Sequence, residues 1–222
     1  MCIRDSLKLI AWDFDGTLVD SRPLIEAGMD HTLKALGQPR SLMETWLGCV
    51  GLPLEEGIRH TFGHLDLEYA VVLKAYRSYA HAEEEHLLKP FPGIPELLRE
   101  LQARGLRMGL ATSKRRVPVV RQLALFGWET LFDPIITPDE VTHAKPHPES
   151  LELMQARTGI PASEMVMVGD TSFDLDMARA AGVPSLAVGH GFSTQEALAA
   201  CGPRAYAPDT AALRDILLAW SA

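Results

Sequence analysis

Apolar and polar positions change rhythm along this chain, and the changes divide it. Leu9-Ile10-Ala11-Trp12 is a continuous apolar run, the pattern of a strand buried on both faces as in parallel sheets. From Leu88 onward, short apolar runs alternate with segments of helical spacing. Strands are expected at Leu106–Ala111, Phe132–Ile136, Met165–Val168 and Ser185–Val188. Helices are expected at Pro95–Arg104, Val117–Phe126, His147–Thr158, Phe173–Ala181 and Ala211–Trp220. This alternation predicts an α/β fold, a parallel sheet with helices on both faces.

Between Ser21 and His86 the rhythm is helical throughout: Pro23–Leu36, Leu42–Leu47, Leu54–Phe62 and Leu67–His86, with no strand pattern. The expected organisation is a core domain of residues 7–20 and 88–222, with residues 21–87 inserted as a small all-helical domain. Linkers near Asp20–Arg22 and Lys89–Gly93 join the two. The stripes Leu24, Met29, Leu33, Leu36 and Tyr69, Val72, Leu73, Tyr76 read as the insert's own core. Residues 1–6 are too short and too charged for a signal peptide and are expected to be non-native or disordered.

The chain has 222 residues, 47% hydrophobic and 23% charged, ordinary proportions for a soluble globular protein. Its net charge of −8 argues against a nucleic-acid partner, which needs a basic surface. No apolar run reaches membrane-spanning length. Cys2, Cys49 and Cys201 lack metal-ligand spacing and suit a reducing cytoplasm. Oligomeric state, monomer or dimer, is left open.

Four segments carry candidate chemistry. Asp13 and Asp15 are two apart at the carboxyl end of the first strand, so both tend to project to one side, and Gly16 then breaks the strand. Thr112-Ser113-Lys114 leaves the next strand, where a hydroxyl either caps the following helix or holds a phosphate oxygen. Lys145 precedes Pro146 and Pro148, which stiffen the backbone around it. Asp170 ends the Met165–Val168 strand, and Asp174 returns to the same side once the chain turns helical. Four carboxylates against one lysine repel: two like charges 4 Å apart cost about 4 kcal/mol at an effective dielectric near 20. Either several are protonated or a cation is present, and an all-oxygen ligand set selects Mg²⁺ before Ca²⁺.

With these motifs the chain resembles the haloacid dehalogenase superfamily, specifically its helical-cap branch around phosphoglycolate phosphatase. Asp13-Phe14-Asp15-Gly16-Thr17, Thr112, Lys145-Pro146 and Gly169-Asp170 with Asp174 match its four motifs in order, over residues 7–222. The resemblance implies a Rossmann-like core with a helical cap, Gly51-Leu52-Pro53 being its substrate-side loop. It implies an Mg²⁺-dependent phosphatase of small phosphate monoesters, with Asp13 as the nucleophile forming an aspartyl-phosphate and Asp15 as general acid and base. Mg²⁺ would be held by the Asp13 carboxylate, the Asp15 backbone carbonyl and Asp170, with Asp174 in support. Thr112 and Lys145, joined by Ser113 and the Gly16 and Thr17 amides, would bind phosphoryl oxygens. The partner implied is a small phosphorylated metabolite, 2-phosphoglycolate in the first place, whose carboxylate would need a cation such as Arg22, Arg59 or Arg77. Asp15 argues against halide chemistry, because the family's dehalogenases lack that aspartate. Neither Lys34 nor Lys74 suits the Schiff-base lysine of a phosphonate hydrolase. A β-phosphoglucomutase-like enzyme shares all four motifs and stands as the alternative, ahead of an idle regulatory protein, which would show an eroded motif.

Overall fold

The computed structural model describes residues 7–221, and the expectation for residues 1–6 lies outside them. The chain order is β1 (Leu9–Trp12), β2 (Val19–Asp20), α1 (Arg22–Ala35), α2 (Leu42–Leu47), α3 (Leu54–Phe62), α4 (Tyr69–Leu87) and β3 (Lys89–Pro90). It continues with α5 (Ile94–Ala103), β4 (Arg107–Ala111), α6 (Arg116–Leu125), β5 (Ile135–Ile136), α7 (Glu149–Thr158) and β6 (Met165–Gly169). The chain then closes with α8 (Ser172–Ala180), β7 (Ser185–Val188), α9 (Gln195–Ala200), β8 (Ala205–Ala207) and α10 (Thr210–Trp220).

Six strands form one parallel sheet in the order β5-β4-β1-β6-β7-β8. Its strands alternate between two cores, as the period-two geometry of a strand requires. Ile10, Trp12, Met108, Leu110, Val166 and Val168 pack on one side with α5, α6 and α10. Leu9, Ala11, Ala111, Met165 and Met167 pack on the other with α7 and α8. Both faces are thus covered, which is why β1, β6 and β7 are buried throughout.

Helices α1–α4 form a separate layer around Met29, Leu33, Trp46, Ile58, Phe62, Val72 and Tyr76. One residue expected in this layer belongs elsewhere: Leu24, in the first turn of α1, packs into the main core. The chain enters and leaves the layer side by side, because Val19 and Asp20 pair antiparallel with Pro90 and Lys89. This two-residue ribbon is too short to leave a periodic trace in the sequence.

One further expectation is corrected, and two elements are added. The strand expected from Phe132 shrinks to Ile135–Ile136, since Pro134 has no N–H to donate to the ladder. Helix α9 and strand β8 were not anticipated: α9 is a six-residue helix capped by the Thr194 side chain, and Ala205-Tyr206-Ala207 becomes a strand by pairing with β7. Among the described residues no helix is long and apolar enough to cross a membrane.

Ile58 is 1% exposed at the centre of the helical layer. Ile58→Ala is expected to lower the free energy of unfolding by about 3 kcal/mol, through lost burial and a residual cavity. Urea denaturation followed by circular dichroism checks this; an unchanged midpoint would show that the layer has no packed core of its own.

Candidate active site

The sheet places the chemistry. β1 lies between β4 and β6, and Asp13, Thr112 and Asp170 each follow the carboxyl end of one of these strands. Ligands of open α/β sheets bind at such an edge. The N–H of Asp13 still donates to the Val168 carbonyl at 2.9 Å, so the ladder holds this residue in place.

Lys145 is the centre of the floor. Its ammonium, 3% exposed as a residue, donates to Asp13 Oδ1 and to Asp174 Oδ1, each at 2.6 Å. The other oxygen of Asp174 accepts from the Thr171 amide at 3.1 Å and the Thr171 hydroxyl at 2.7 Å, closing a capping box at the start of α8. Asp174 therefore caps its helix with one oxygen and meets Lys145 with the other. Asp170 accepts from the Thr17 hydroxyl at 2.8 Å through Oδ1 and from the Phe192 amide at 2.8 Å through Oδ2.

Two close approaches depend on glycine. Gly16, at φ +80°, lies so near Asp170 that a Cβ there would collide with its carboxylate. Gly51, at φ +105°, brings the loop before α3 against Thr171 and Phe173.

The charge is unbalanced. Asp13, Asp170 and Asp174 are all buried, and three carboxylates against the one ammonium leave two negative charges. Burial pushes the Asp13 carboxyl from its ordinary 3.8 up to about 7; the charges of Asp174 and Asp15 add to this and Lys145 opposes it. Burial, then the Asp13 and Asp174 charges, likewise raises Asp170. Burial works against the charge of Lys145, but Asp13 and Asp174 outweigh it and hold the ammonium firmly protonated. One oxygen each from Asp13, Asp170 and Asp174 lie within 4.8 Å of one another. A divalent cation there would cancel the excess charge, and the donor set suits a hard ion.

Above the floor lies a cavity of about 870 Å³, lined by Asp13, Asp15, Thr112 and Ser113 from the core and by Leu24, Trp46, Leu52 and Tyr76 from the helical segment. Asp15 thus shares the cavity with Asp13, as the two-residue spacing predicts. The other expected residues already make contacts of their own. The Ser113 hydroxyl donates to the Gly51 carbonyl at 2.6 Å, fastening the loop rather than standing free for a phosphate. The Gly16 amide donates to the Val19 carbonyl. Thr112 is buried and its hydroxyl accepts from the Lys114 amide at 3.1 Å. The Thr17 side chain serves Asp170. Of the three arginines considered as carboxylate partners, Arg77 alone lines the cavity, and it pairs with Glu55 at 3.0 Å. Arg22 stacks over Phe192 and Arg59 over Tyr69.

Several neighbours of the site were missed. Lys114 donates to Asp15 Oδ1 at 2.8 Å; its place beside Thr112-Ser113 was the available signal. Phe192, which secures Asp170, follows the Gly189-His190-Gly191 turn beyond β7, a glycine pair at the same sheet edge. Gln122, Arg121 and Glu84 carry no local motif.

Comparison with known proteins identifies the family. The family model of haloacid dehalogenase-like hydrolases matches residues 10–188. A pyrophosphatase PpaX of Halalkalibacterium halodurans is 32% identical over 185 residues, 83% of this chain and 84% of that protein. A phosphoglycolate phosphatase of Yersinia pestis is 34% identical over 203 residues, 89% and 88% of the two chains. Among solved structures, a haloacid dehalogenase-like family hydrolase from Streptococcus pneumoniae superposes with a TM-score of 0.80 at 28% identity, covering 96% of this chain and 98% of its own.

The raised carboxyls set a pH dependence. A carboxyl that binds its proton more tightly when folded stabilises the protein at low pH, and the contribution is lost as pH rises from the unfolded value near 4 to the folded value near 7. Lys145 stays charged across this window. In chelator, stability should therefore fall between about pH 4 and pH 7 by up to ~1.4 kcal/mol per pH unit for each such group. Added divalent cation should flatten the slope by holding the carboxylates ionised. Denaturation midpoints across pH, with and without chelator, test this; stability rising with pH in chelator would contradict it.

Proposed function

The chain belongs to the haloacid dehalogenase-like hydrolases and is a phosphatase of that family, and from this premise we propose that it hydrolyses small phosphate monoesters through an aspartyl-phosphate on Asp13. The observation that carries the reading is the buried triad of Lys145 with Asp13 and Asp174, whose Asp13 opens onto the cavity beneath the helical segment. Asp13 gives one oxygen to Lys145, and among the described residues no donor takes the other, which leaves Oδ2 to attack phosphorus. Lys145 and the Thr112 hydroxyl hold phosphoryl oxygens opposite it. Asp15 protonates the departing oxygen and then removes a proton from the water that releases phosphate. Positioning and charge neutralisation are most of what in-line phosphoryl transfer needs.

Mg²⁺ fits this floor: the donors are all oxygen, buried, close together and in excess of positive charge. The Asp13 carboxylate, the Asp15 backbone carbonyl and Asp170 would hold it. Asp174 would support it directly or through water, since both its oxygens already accept bonds. Bound there, the ion supplies Lewis-acid polarisation of the phosphoryl group and keeps the carboxylates ionised.

The helical segment 21–87 acts as a cap over the carboxyl edge and shields the acyl phosphate from bulk solvent, leaving room for the one water that Asp15 activates. The relatives point to two leaving groups, glycolate and phosphate, through the names phosphoglycolate phosphatase and pyrophosphatase. For 2-phosphoglycolate the carboxylate would have to compete with Glu55 for Arg77.

Activity should vanish in EDTA and return with Mg²⁺, with Ca²⁺ a poor substitute because its looser coordination misplaces Asp13. Asp13→Asn should abolish both turnover and covalent labelling by phosphate. Asp15→Asn should fold normally and slow turnover by roughly 10²-fold or more. Substantial turnover by Asp13→Asn would refute the nucleophile.

The substrate is tested by kcat/KM across phosphoglycolate, pyrophosphate, hexose phosphates, nucleoside monophosphates and a phosphopeptide, reading released phosphate and any isomerised hexose phosphate. Preference for the phosphopeptide would overturn the roofed-site reading. Isomerised hexose phosphate as the main product would replace it with the mutase.

A further inference from the structure

We propose that Lys114, Gln122 and Glu84 form a positioning relay that ties the Asp15 carboxylate to the helical cap, so that the acid–base residue is held only while the cap is docked. The proposal rests on the acid–base role given to Asp15 above. Lys114 Nζ donates to Asp15 Oδ1 at 2.8 Å and to Gln122 Oε1 at 2.6 Å. Gln122 Nε2 donates to Glu84 Oε2 at 3.4 Å, and Arg121 Nη2 donates to the same oxygen at 2.7 Å. These groups come from four separate places: the β1–β2 turn, the loop after β4, helix α6 and helix α4. The path therefore runs from the catalytic turn, across the core, into the cap.

The polarity of each link is forced. An ammonium can only donate and an ionised carboxylate can only accept. Gln122, between them, must turn its carbonyl oxygen to Lys114 and its NH₂ to Glu84. If Glu84 departs with α4, the amide loses the partner that fixes its rotation, and Lys114 loses a fixed acceptor. Asp15 then loses the donor that orients its Oδ1. Burial strengthens this dependence, because Glu84 and Gln122 are each 3% exposed. Burial disfavours the Glu84 carboxylate, yet hydrogen bonds from Arg121 and Gln122 hold its carboxyl below the usual range, so it remains an acceptor. The aromatic face of Phe14, 5.1 Å from Lys114 Nζ, confines the ammonium from another side.

A buried polar path between α4 and α6 is costly where apolar side chains would pack. Fold stability alone does not call for it. Coupling of cap docking to Asp15 gives it a use, since an oriented acid is needed only when substrate is enclosed.

The test separates positioning of the acid from general damage. Protonation matters greatly for a poor leaving group and little for a good one, so kcat/KM is compared for an alkyl phosphate and 4-nitrophenyl phosphate. Lys114→Met, Gln122→Met and Glu84→Gln are each expected to reduce kcat/KM for the alkyl ester about tenfold more than for the nitrophenyl ester. The double variant Lys114→Met/Gln122→Met should lose no more than the worse single, within about twofold, because links in series do not add. Thermal melts verify folding, and Gln122→Met, nearly isosteric, serves if Glu84→Gln fails to fold. Equal losses on the two esters in Lys114→Met and Gln122→Met, with a selective loss in Asp15→Asn, would overturn the relay alone. Equal losses in Asp15→Asn would overturn the acid assignment and the relay with it.

Discussion

Everything at the working edge of this protein is arranged around one buried ammonium. Lys145 holds Asp13 and Asp174 at equal distance, and these two residues follow different strands of the sheet. A carboxylate in this position without its cation would be strongly disfavoured. The ion pairs are therefore a condition of the strand ends lying together at all. The close packing follows: Gly16 and Gly191 clear space for the Asp170 carboxylate, and Gly169 for Asp174. The loop that carries Lys145 belongs to neither strand, so the site is closed only by the completed tertiary fold.

With Asp170 beside the triad, three carboxylates face one ammonium and two negative charges remain, a surplus that suits the floor to receive a cation rather than to stand as a satisfied structural cluster. A structural network would be expected to balance itself, as Glu84 and Arg121 do. Among the described residues no cation besides Lys145 pairs with the three carboxylates, and burial together with mutual repulsion pushes Asp13 and Asp170 toward neutrality. A cation bound there would restore their ionised forms, so that on the proposed function the nucleophile and the ion's binding site would come into being together.

The floor was largely legible in the sequence, because strand ends and short motifs are local. Asp13 and Asp15 lie two apart beside an apolar run, and Asp170 and Asp174 flank a helix start. The sheet was legible for the same reason: β1, β4, β6 and β7 are buried on both faces and read as apolar runs. What escaped was set by partners distant in sequence. Leu24 looks like the first residue of the insert's stripe, but its neighbours place it in the main core. β8 exists because β7 has an edge to pair. Lys114 reads as an ordinary loop lysine until Asp15, ninety-nine residues away, is seen to face it. The Ser113 hydroxyl, a phosphate ligand by motif, meets a carbonyl of the insert.

The walls obey a different rule from the floor. Arg77 and Arg115 meet Glu55, Arg115 also meets Asp139, Arg116 meets Glu140 and Arg121 meets Glu84. Each of these cations lines the cavity and each already has a carboxylate, so the walls offer a second anionic group little uncompensated positive charge. Apolar side chains, among them Leu24, Trp46, Leu52, Tyr76 and Val117, make up much of the rest of the wall. An apolar wall discriminates weakly, about 1–3 kcal/mol for a methylene gained or lost. On the proposed function, the phosphoryl group would thus be held by charge at the floor, while the leaving group would be judged mainly by shape against the helical segment.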